Sequence, residues 1–473
     1  MNIKEDFNGI NALVMGLGLH GGGRESALFL ARRGAALTIT DLRDEATLRP
    51  QIEALDTELK LAGRPPARYV LGRHEIADFQ TADVVIKNPG VRPDSPYLKA
   101  ARRVETDISL FLRENPARLF AVTGSKGKSF TASALHFGLA AYHKTARRGS
   151  AYLGGNITLS PLSFIDKLSA YDDVVLELSS WQLGDLKAGL LKPRTAIITA
   201  IMPDHLDRYR NMAEYVADKK RIYANQDEKC ALFLHDGQYA AEFQAESRAR
   251  TAIYGLAKPA GAGGWHDTAL GTSFAAGPLG ALDAGSTREL LSAAQLVCGE
   301  HQKVNLLGAA LAMFELGDEE TRAVSSLESF PGIEHRLEFF HEHGGVRYYN
   351  DTAATIPEAA LAAVEALGRP ILVAGGTDKA LEFAPLVEAA RRAKAVILLA
   401  GTAGDKLSVQ LDKAGIAYSG PFTTITAAAE SAIKAARSGD SVILSPGCAS
   451  FGMFKNEFDR GAQWKAVISH FLI

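Results

Sequence analysis

The run Thr123-Gly124-Ser125-Lys126-Gly127-Lys128-Ser129 constrains this chain more than any other. It lies between an apolar stretch, LFAV, and a stretch with helical apolar spacing, TASALHFGL. A strand that enters a glycine turn and leaves as a helix is a phosphate-binding unit of parallel α/β proteins. Glycine lets backbone N–H groups approach phosphate oxygens, and the helix N-terminus adds positive potential. In such a loop Lys128 reaches the β- and γ-phosphates, and the Ser129 hydroxyl is placed to ligate Mg²⁺. The spacing is GxxGKS, shorter than the common GxxxxGK[ST].

The same punctuation recurs along the chain. NALVMG, ALTITD and ADVVIKNPG before the loop, and YDDVVLELSS and RTAIITAIM after it, read as buried strands separated by helical stretches. VRYYND, PILVAGGT, AKAVILLAGTAG and DSVILSPG repeat the pattern in the last third. Alternation of this kind predicts parallel sheets covered by helices, with ligands outside the carboxyl ends of the strands. A chain of 473 residues has room for about three such domains. The expected layout is an α/β protein with a Rossmann-like domain at 1–106, a central phosphate-loop domain at 107–332 and a second Rossmann-like domain at 333–473. The stretch 257–287, rich in Gly, Ala and Ser, reads as loops or a small antiparallel sheet. A net charge of −2 gives no electrostatic case for nucleic acid or an anionic membrane. No apolar run is long enough to span a bilayer and no leader is visible, so a cytoplasmic protein is expected. Cys230, Cys298 and Cys448 are too far apart for a metal cluster.

Other residues add chemistry. Glu177 ends the strand VVLE, where a carboxylate beside a phosphate loop suits magnesium. His205, in Asp204-His205-Leu206-Asp207, is a metal ligand, an acid/base group or a capping partner. Lys219 follows fourteen residues later in a helical segment. Gly16-Leu17-Gly18-Leu19-His20-Gly21, with Asp41 ending the second strand, matches the GxGxxG fingerprint for a phosphate or diphosphate near a helix N-terminus. Gly22 and Gly23 are expected to loosen that helix start. Arg336 can bridge to a nucleotide phosphate and Asp351 can bind a ribose hydroxyl. Cys448, in Ser445-Pro446-Gly447-Cys448-Ala449-Ser450-Phe451, reads as a small buried hydrophobe.

Taken together, GLGLHG, TGSKGKS, GGNI, LELSSWQL, DHLDRY, KKRIY, PGIEHR, GGTDK and SPGCASFGMFKN resemble, in order and spacing, the Mur ligase family across essentially the whole chain. The N-terminal GxGxxG resembles two branches of the family, and the phosphate-loop Ser with the C-terminal SPxCASF-like block resembles the one of them that adds D-glutamate to UDP-N-acetylmuramoyl-L-alanine. The resemblance implies a cytoplasmic, ATP-dependent, ADP-forming amide ligase working through an acyl phosphate. It implies two Mg²⁺ ions and a CO₂-derived carbamate on Lys219, with Ser129, Glu177, His205 and carbamylated Lys219 as metal ligands. It assigns Gly124, Ser125, Lys126, Gly127, Lys128, Ser129, Asn305, Arg336 and Asp351 to ATP. Gly18, Leu19, His20, Asp41, Arg43, Asn156 and Ser179 fall to the UDP substrate. Lys379, Ser450 and Phe451 fall to the incoming amino acid. Lys128, Glu177, His205 and Lys219 form its catalytic set. A monomer is expected, with the active site between the domains.

The chain departs from the family pattern at Lys126, Phe130, Gln302, Ala353 and Glu457. Ala353 stands where the family has a lysine. The departures at Ala353 and Glu457 keep L-glutamate or another acceptor open. A Rossmann oxidoreductase would explain only the N-terminal glycines, and a non-catalytic nucleotide-binding regulator has no need of the metal set.

Overall fold

Short apolar runs that stop at a glycine or an acidic residue, such as ALVM before Gly16 and VVLE at Glu177, form buried strands. A computed structural model describes residues 5–19, 21–157, 159–205 and 208–472. The first sheet contains β1 (Asn11–Met15), β2 (Ala36–Asp41), β3 (Arg68–Leu71), β4 (Val84–Lys87) and β5 (Val104–Glu105), in the order β3-β2-β1-β4-β5. All its pairings are parallel. The helix Gly22–Arg32 covers one face, where Phe29 and Leu30 pack with Val14, Ile39 and Ile86.

The second sheet has nine strands. It contains β6 (Arg118–Thr123), β7 (Ala151–Gly155), β8 (Asp173–Glu177), β9 (Thr195–Ile198), β10 (Ala231–His235), β11 (Arg250–Gly255), β12 (Gly263–Asp267), β13 (Thr272–Ala276) and β14 (Thr287–Leu291). Their order is β14-β13-β12-β11-β10-β9-β6-β8-β7. β6 lies between β8 and β9, so the loop after it emerges among strand ends that carry Glu177 and Thr199. The stretch expected as loops or a small antiparallel sheet holds β12 and β13 and runs into β14, and these strands continue the central sheet. Gly264 explains part of that. A Cβ there would lie 2.6 Å from the Phe274 carbonyl oxygen and 3.0 Å from Leu311, so only glycine allows the close approach.

The third sheet contains β15 (Glu338–His343), β16 (Val346–Asn350), β17 (Ile371–Gly375), β18 (Ala395–Leu399), β19 (Ser419–Phe422) and β20 (Ser441–Leu444), in the order β15-β16-β20-β17-β18-β19. Only β15 runs antiparallel to its neighbour. Alternate residues of β17 feed two cores. Leu372 and Ala374 pack with Leu386 and Val364, while Ile371 and Val373 pack with Ala428 and Trp464. Helices on both faces account for the unbroken apolar strands.

The chain divides into two compact units. One comprises Met1–Asp267, Ser273–Leu290 and Asn305–Val324; the other comprises Thr268–Thr272, Leu291–Val304 and Ser325–Ile473. Among the described residues, no helix is long and apolar enough to cross a membrane. Cys230, Cys298 and Cys448 are free thiols, and Cys448 is buried as expected.

Candidate active site

In the first unit the phosphate loop is held from behind by its own sheet. The backbone N–H groups of Ser125 and Lys126 donate to the Ala200 carbonyl at 2.8 and 3.3 Å. Ser125 Oγ exchanges 2.9 Å bonds with the backbone of Met202 and lies 2.8 Å from the Tyr215 hydroxyl. Gly124 has φ +147°, and a Cβ there would collide with Thr199 Oγ1. Gly127, at φ +91°, opens the helix Lys128–Ala146, and a Cβ there would lie 2.6 Å from Asn305 Nδ2. Asn305 therefore packs against the loop it was expected to serve. The Lys128 ammonium donates to Ser125 O at 3.0 Å. Burial pulls its pKa down, against the opposing pull of Glu177 and Asp204. Lys126 is exposed and lies 3.5 Å from Asp204.

Glu177 is 1% exposed. Its Oε1 accepts from Asn156 Nδ2 at 3.0 Å, and the Asn156 N–H donates to the Glu177 carbonyl at 2.8 Å. Its Oε2 is buried with no hydrogen-bond partner among the described residues. An orphaned carboxylate oxygen is costly unless a cation meets it. Ser179 is engaged in a capping box with Gln182 and starts the short helix Ser180–Asp185. Lys219 is as buried as Glu177, at 1% exposure. Its amine donates to the Gly124 carbonyl at 2.7 Å and lies 4.4 Å from the centre of the Tyr215 ring. Burial, with the charge of Lys128 adding to it, lowers the Lys219 pKa to about 7. His205 sits at φ +54° and is half-exposed, with its ring 4.9 Å from Trp181 and 6.3 Å from Tyr215. Tyr215 thus touches the surroundings of Ser125, Lys219 and His205 together.

The N-terminal glycines open on a cavity of about 560 Å³. Gly18, Leu19, Asp41 and Arg43 line it, together with Asn88–Val91, Asp107, Asn156 and Gln182. Asp41 organises the floor, accepting from Gly18 N at 3.1 Å and from Arg43 N at 2.9 Å. His20 lies outside the described residues, as do Leu206 and Asp207. Of the two extra glycines at the helix start, Gly23 is a packing contact, while a Cβ on Gly22 would meet nothing within 4 Å. Gly23 is buried, and a Cβ there would lie 2.2 Å from the Gly16 carbonyl oxygen, so this glycine permits close helix–strand packing.

In the second unit, Asp351 Oδ1 accepts from Leu337 N at 3.0 Å and Oδ2 accepts from Ser445 Oγ at 2.6 Å. Burial raises its pKa to about 7, while Arg336, itself exposed, pulls the other way. Thr377 and Ala449 form a bridge that joins the loop after β17 to the loop after β20. Ser450 is buried, and its hydroxyl has no partner among the described residues. Phe451 and Lys379 are exposed beside it in sequence and loop. Glu334, His335 and Glu338 bring ligand atoms within 4.8 Å of one another. Lys465 lies 3.0 and 2.7 Å from the two carboxylates, so a cation already balances them.

Asp351 carries a pH prediction. A carboxyl whose folded pKa exceeds its unfolded value holds its proton in the folded state between about pH 4 and 7, so its contribution to stability falls as pH rises through that window. Asparagine keeps both hydrogen bonds, because the Ser445 hydroxyl can also accept. Relative to the parent, Asp351→Asn gains on the order of 2 kcal/mol between pH 5 and pH 8 in denaturant unfolding. A difference that does not change with pH would show that the carboxyl is ionised throughout.

This arrangement can be set beside known proteins. Residues 122–313 match the Mur ligase middle domain, and residues 335–448 match the Mur ligase glutamate ligase domain. A UDP-N-acetylmuramoylalanine–D-glutamate ligase of Treponema pallidum is 38% identical over 98% of both chains. A ligase of the same name from Roseiflexus is also 38% identical, over 98% of this chain and 99% of the relative. The chain belongs to the Mur ligase family. The crystal structure of the UDP-N-acetylmuramate–alanine ligase of Thermotoga maritima shares the fold, with a TM-score of 0.53 at 18% identity over 98% of this chain and all of that one. Like other Mur ligases, the chain is an ATP-dependent, ADP-forming amide ligase. Reading the sequence did not single out Asn88–Val91 and Asp107, which line the N-terminal cavity, or Trp181 and Arg208, which pack beside it. A strand-end signal, the Asn88-Pro89-Gly90 turn, was available for the first of these.

Proposed function

We propose that this chain joins D-glutamate to UDP-N-acetylmuramoyl-L-alanine in the cytoplasmic synthesis of peptidoglycan precursors. The observation that carries this reading is full-length similarity to ligases of that name, at 37–38% identity in several bacteria. The reading places domain boundaries at 106/107 and 332/333 and has the protein act as a monomer.

In this reading the N-terminal cavity takes the uridine diphosphate, through Gly18, Leu19, His20, Asp41 and Arg43. Asn156 and Ser179 hold the muramoyl-alanine end. The phosphate loop, with Gly124 to Ser129, holds ATP together with Asn305, Arg336 and Asp351. The alanine carboxylate attacks the γ-phosphorus, and ADP leaves. The glutamate amine then attacks the acyl carbon, the C–O bond to phosphate breaks, and the amine proton is lost. A carboxylate and a triphosphate repel each other, and Lys128 offsets part of that repulsion. Mg²⁺ supplies further charge neutralisation when bound. The residues fit it: Glu177 Oε2 is buried without a partner, and the Ser129 hydroxyl opens the same helix as Lys128. His205 and Lys219 would serve a second ion. An amine with a pKa near 7 is substantially neutral in the cell and can add CO₂, which turns a cation into the oxygen ligand a hard metal prefers. Lys379, Ser450 and Phe451 face the incoming glutamate, and Lys379 pairs with a carboxylate.

A second reading keeps the chemistry and changes the acceptor, because Ala353, two residues after Asp351, stands where the family pattern has a lysine. Phosphate release with ATP, Mg²⁺ and UDP-N-acetylmuramoyl-L-alanine separates the two. Turnover with D-glutamate is expected, with L-glutamate, meso-diaminopimelate and lysine at least about 100-fold slower. Turnover with L-glutamate alone would move the protein to the other acceptor, and no turnover with any acceptor would overturn the ligase assignment.

A further inference from the structure

Arg208, in the DHLDRY run, takes no part in the chemistry above, yet it joins three parts of the first unit. Its guanidinium donates to the carbonyls of Pro89 at 3.4 Å, Gly90 at 3.3 Å and Val91 at 3.2 Å. Those residues line the N-terminal cavity. The same guanidinium lies over the Trp181 ring, 4.0 Å from its centre. Trp181 belongs to the helix Ser180–Asp185, which also presents Gln182 to the cavity. The Trp181 ring in turn lies 4.9 Å from the His205 ring. Arg208 N donates to His205 O at 3.0 Å, so the stack closes on the same loop. A buried ion pair between Lys87 and Asp185 flanks this stack and ties the end of β4 to the same short helix.

We propose that Arg208 and Trp181 are positioning residues that couple occupancy of the N-terminal cavity to the placement of His205. The coupling rests on the functional reading above, which puts a nucleotide sugar in that cavity and a metal-bound nucleotide beside His205. The physical basis is geometric. The Asn88–Val91 loop cannot tighten around a ligand without moving the carbonyls that hold Arg208. Arg208 cannot move without shifting the ring it covers, and that ring is packed on His205. A planar fork with several donors suits this task, and a point-charge ammonium does not. Coupling of this kind is reciprocal, so each ligand tightens the other by the same factor.

Calorimetry on the full chain tests it. The affinity of a non-hydrolysable ATP analogue with Mg²⁺ is measured with and without UDP-N-acetylmuramoyl-L-alanine, in the parent, in Arg208→Gln and in Arg208→Lys. The parent is expected to bind the analogue at least about fivefold tighter when the nucleotide sugar is present. In both variants this factor falls to within about twofold of one, while each ligand alone still binds. Fluorescence gives a second readout. Nucleotide-sugar binding changes the emission of the parent, and that change is lost in Trp181→Phe and in both Arg208 variants. A parent that fails to bind the nucleotide sugar overturns the functional reading and the coupling with it. Binding with an undiminished factor in both Arg208 variants overturns the coupling alone.

Discussion

Lys219→Ala lowers the rate of ligation by about a thousandfold, and a short carboxylate such as acetate or formate restores part of it. The amine of Lys219 is fully buried on the phosphate-loop carbonyl of Gly124, and its pKa is lowered to about 7. A lysine at its ordinary pKa is almost entirely protonated in the cell and does not add CO₂. This one is about half neutral at pH 7, and the neutral fraction rises with pH. The oxygen ligand it would then supply sits where charge must be balanced during phosphoryl transfer, and removal of such a group costs about 10²–10³ in rate. An added carboxylate fits the space left by the truncated side chain. The direct measurement is a ¹³C signal for the carbamate in protein equilibrated with ¹³C-bicarbonate. It is expected to strengthen from pH 6 to pH 8 and to be absent from Lys219→Ala. Full activity of Lys219→Ala without any additive would remove the carbamate from the mechanism.

Glu177→Gln is expected to lower turnover by about 10²-fold or more and to raise the Mg²⁺ concentration needed for half-maximal activity. The substitution is nearly isosteric. Glutamine can still accept from Asn156 through Oε1, so the hydrogen bond at 3.0 Å survives. What changes is the buried Oε2, which has no partner among the described residues and becomes an uncharged amide. The fold therefore keeps its core while the cation loses an anionic ligand. Thermal unfolding with and without Mg²⁺·ATP separates the two effects. The parent gains stability from the ligand, because ligand that binds only the folded state stabilises it by mass action. Glu177→Gln gains much less, yet unfolds at a similar temperature without ligand. Equal stabilisation of both proteins would place the metal on other groups.

Much of the fold was legible because its signals are local. Strand, glycine turn and helix follow one another within about twenty residues at Thr123–Ser129 and at Gly16–Gly21, and the backbone requirements of those turns select glycine. β16, β17, β18 and β20 of the third sheet were legible for the same reason, each being a short apolar run with a sharp stop, whereas β19, SGPF, offers no such run. β15 was not legible, since EFFHEH carries two histidines and two glutamates and pairs antiparallel at a sheet edge. The extension of the central sheet through β12 to β14 was hidden by composition. Gly264 reads as loop material, but it is selected by the approach of Phe274 and Leu311. Gly23 was misread in the same way, as a source of looseness where it is a contact.

The sequence by itself determined that this chain is an α/β protein and that it carries a phosphate loop, and it offered Glu177, His205 and Lys219 as candidate partners of that loop. These are matters of residue type and short spacing. The tertiary structure alone decided what each of them meets. It buried Lys219 against Gly124, ninety-five residues earlier, and so lowered its pKa. It left one oxygen of Glu177 unpartnered, and it set Arg208 on carbonyls 117 to 119 residues away. Desolvation and hydrogen bonding depend on neighbours in space, and the chain order carries no record of them until the sheets close.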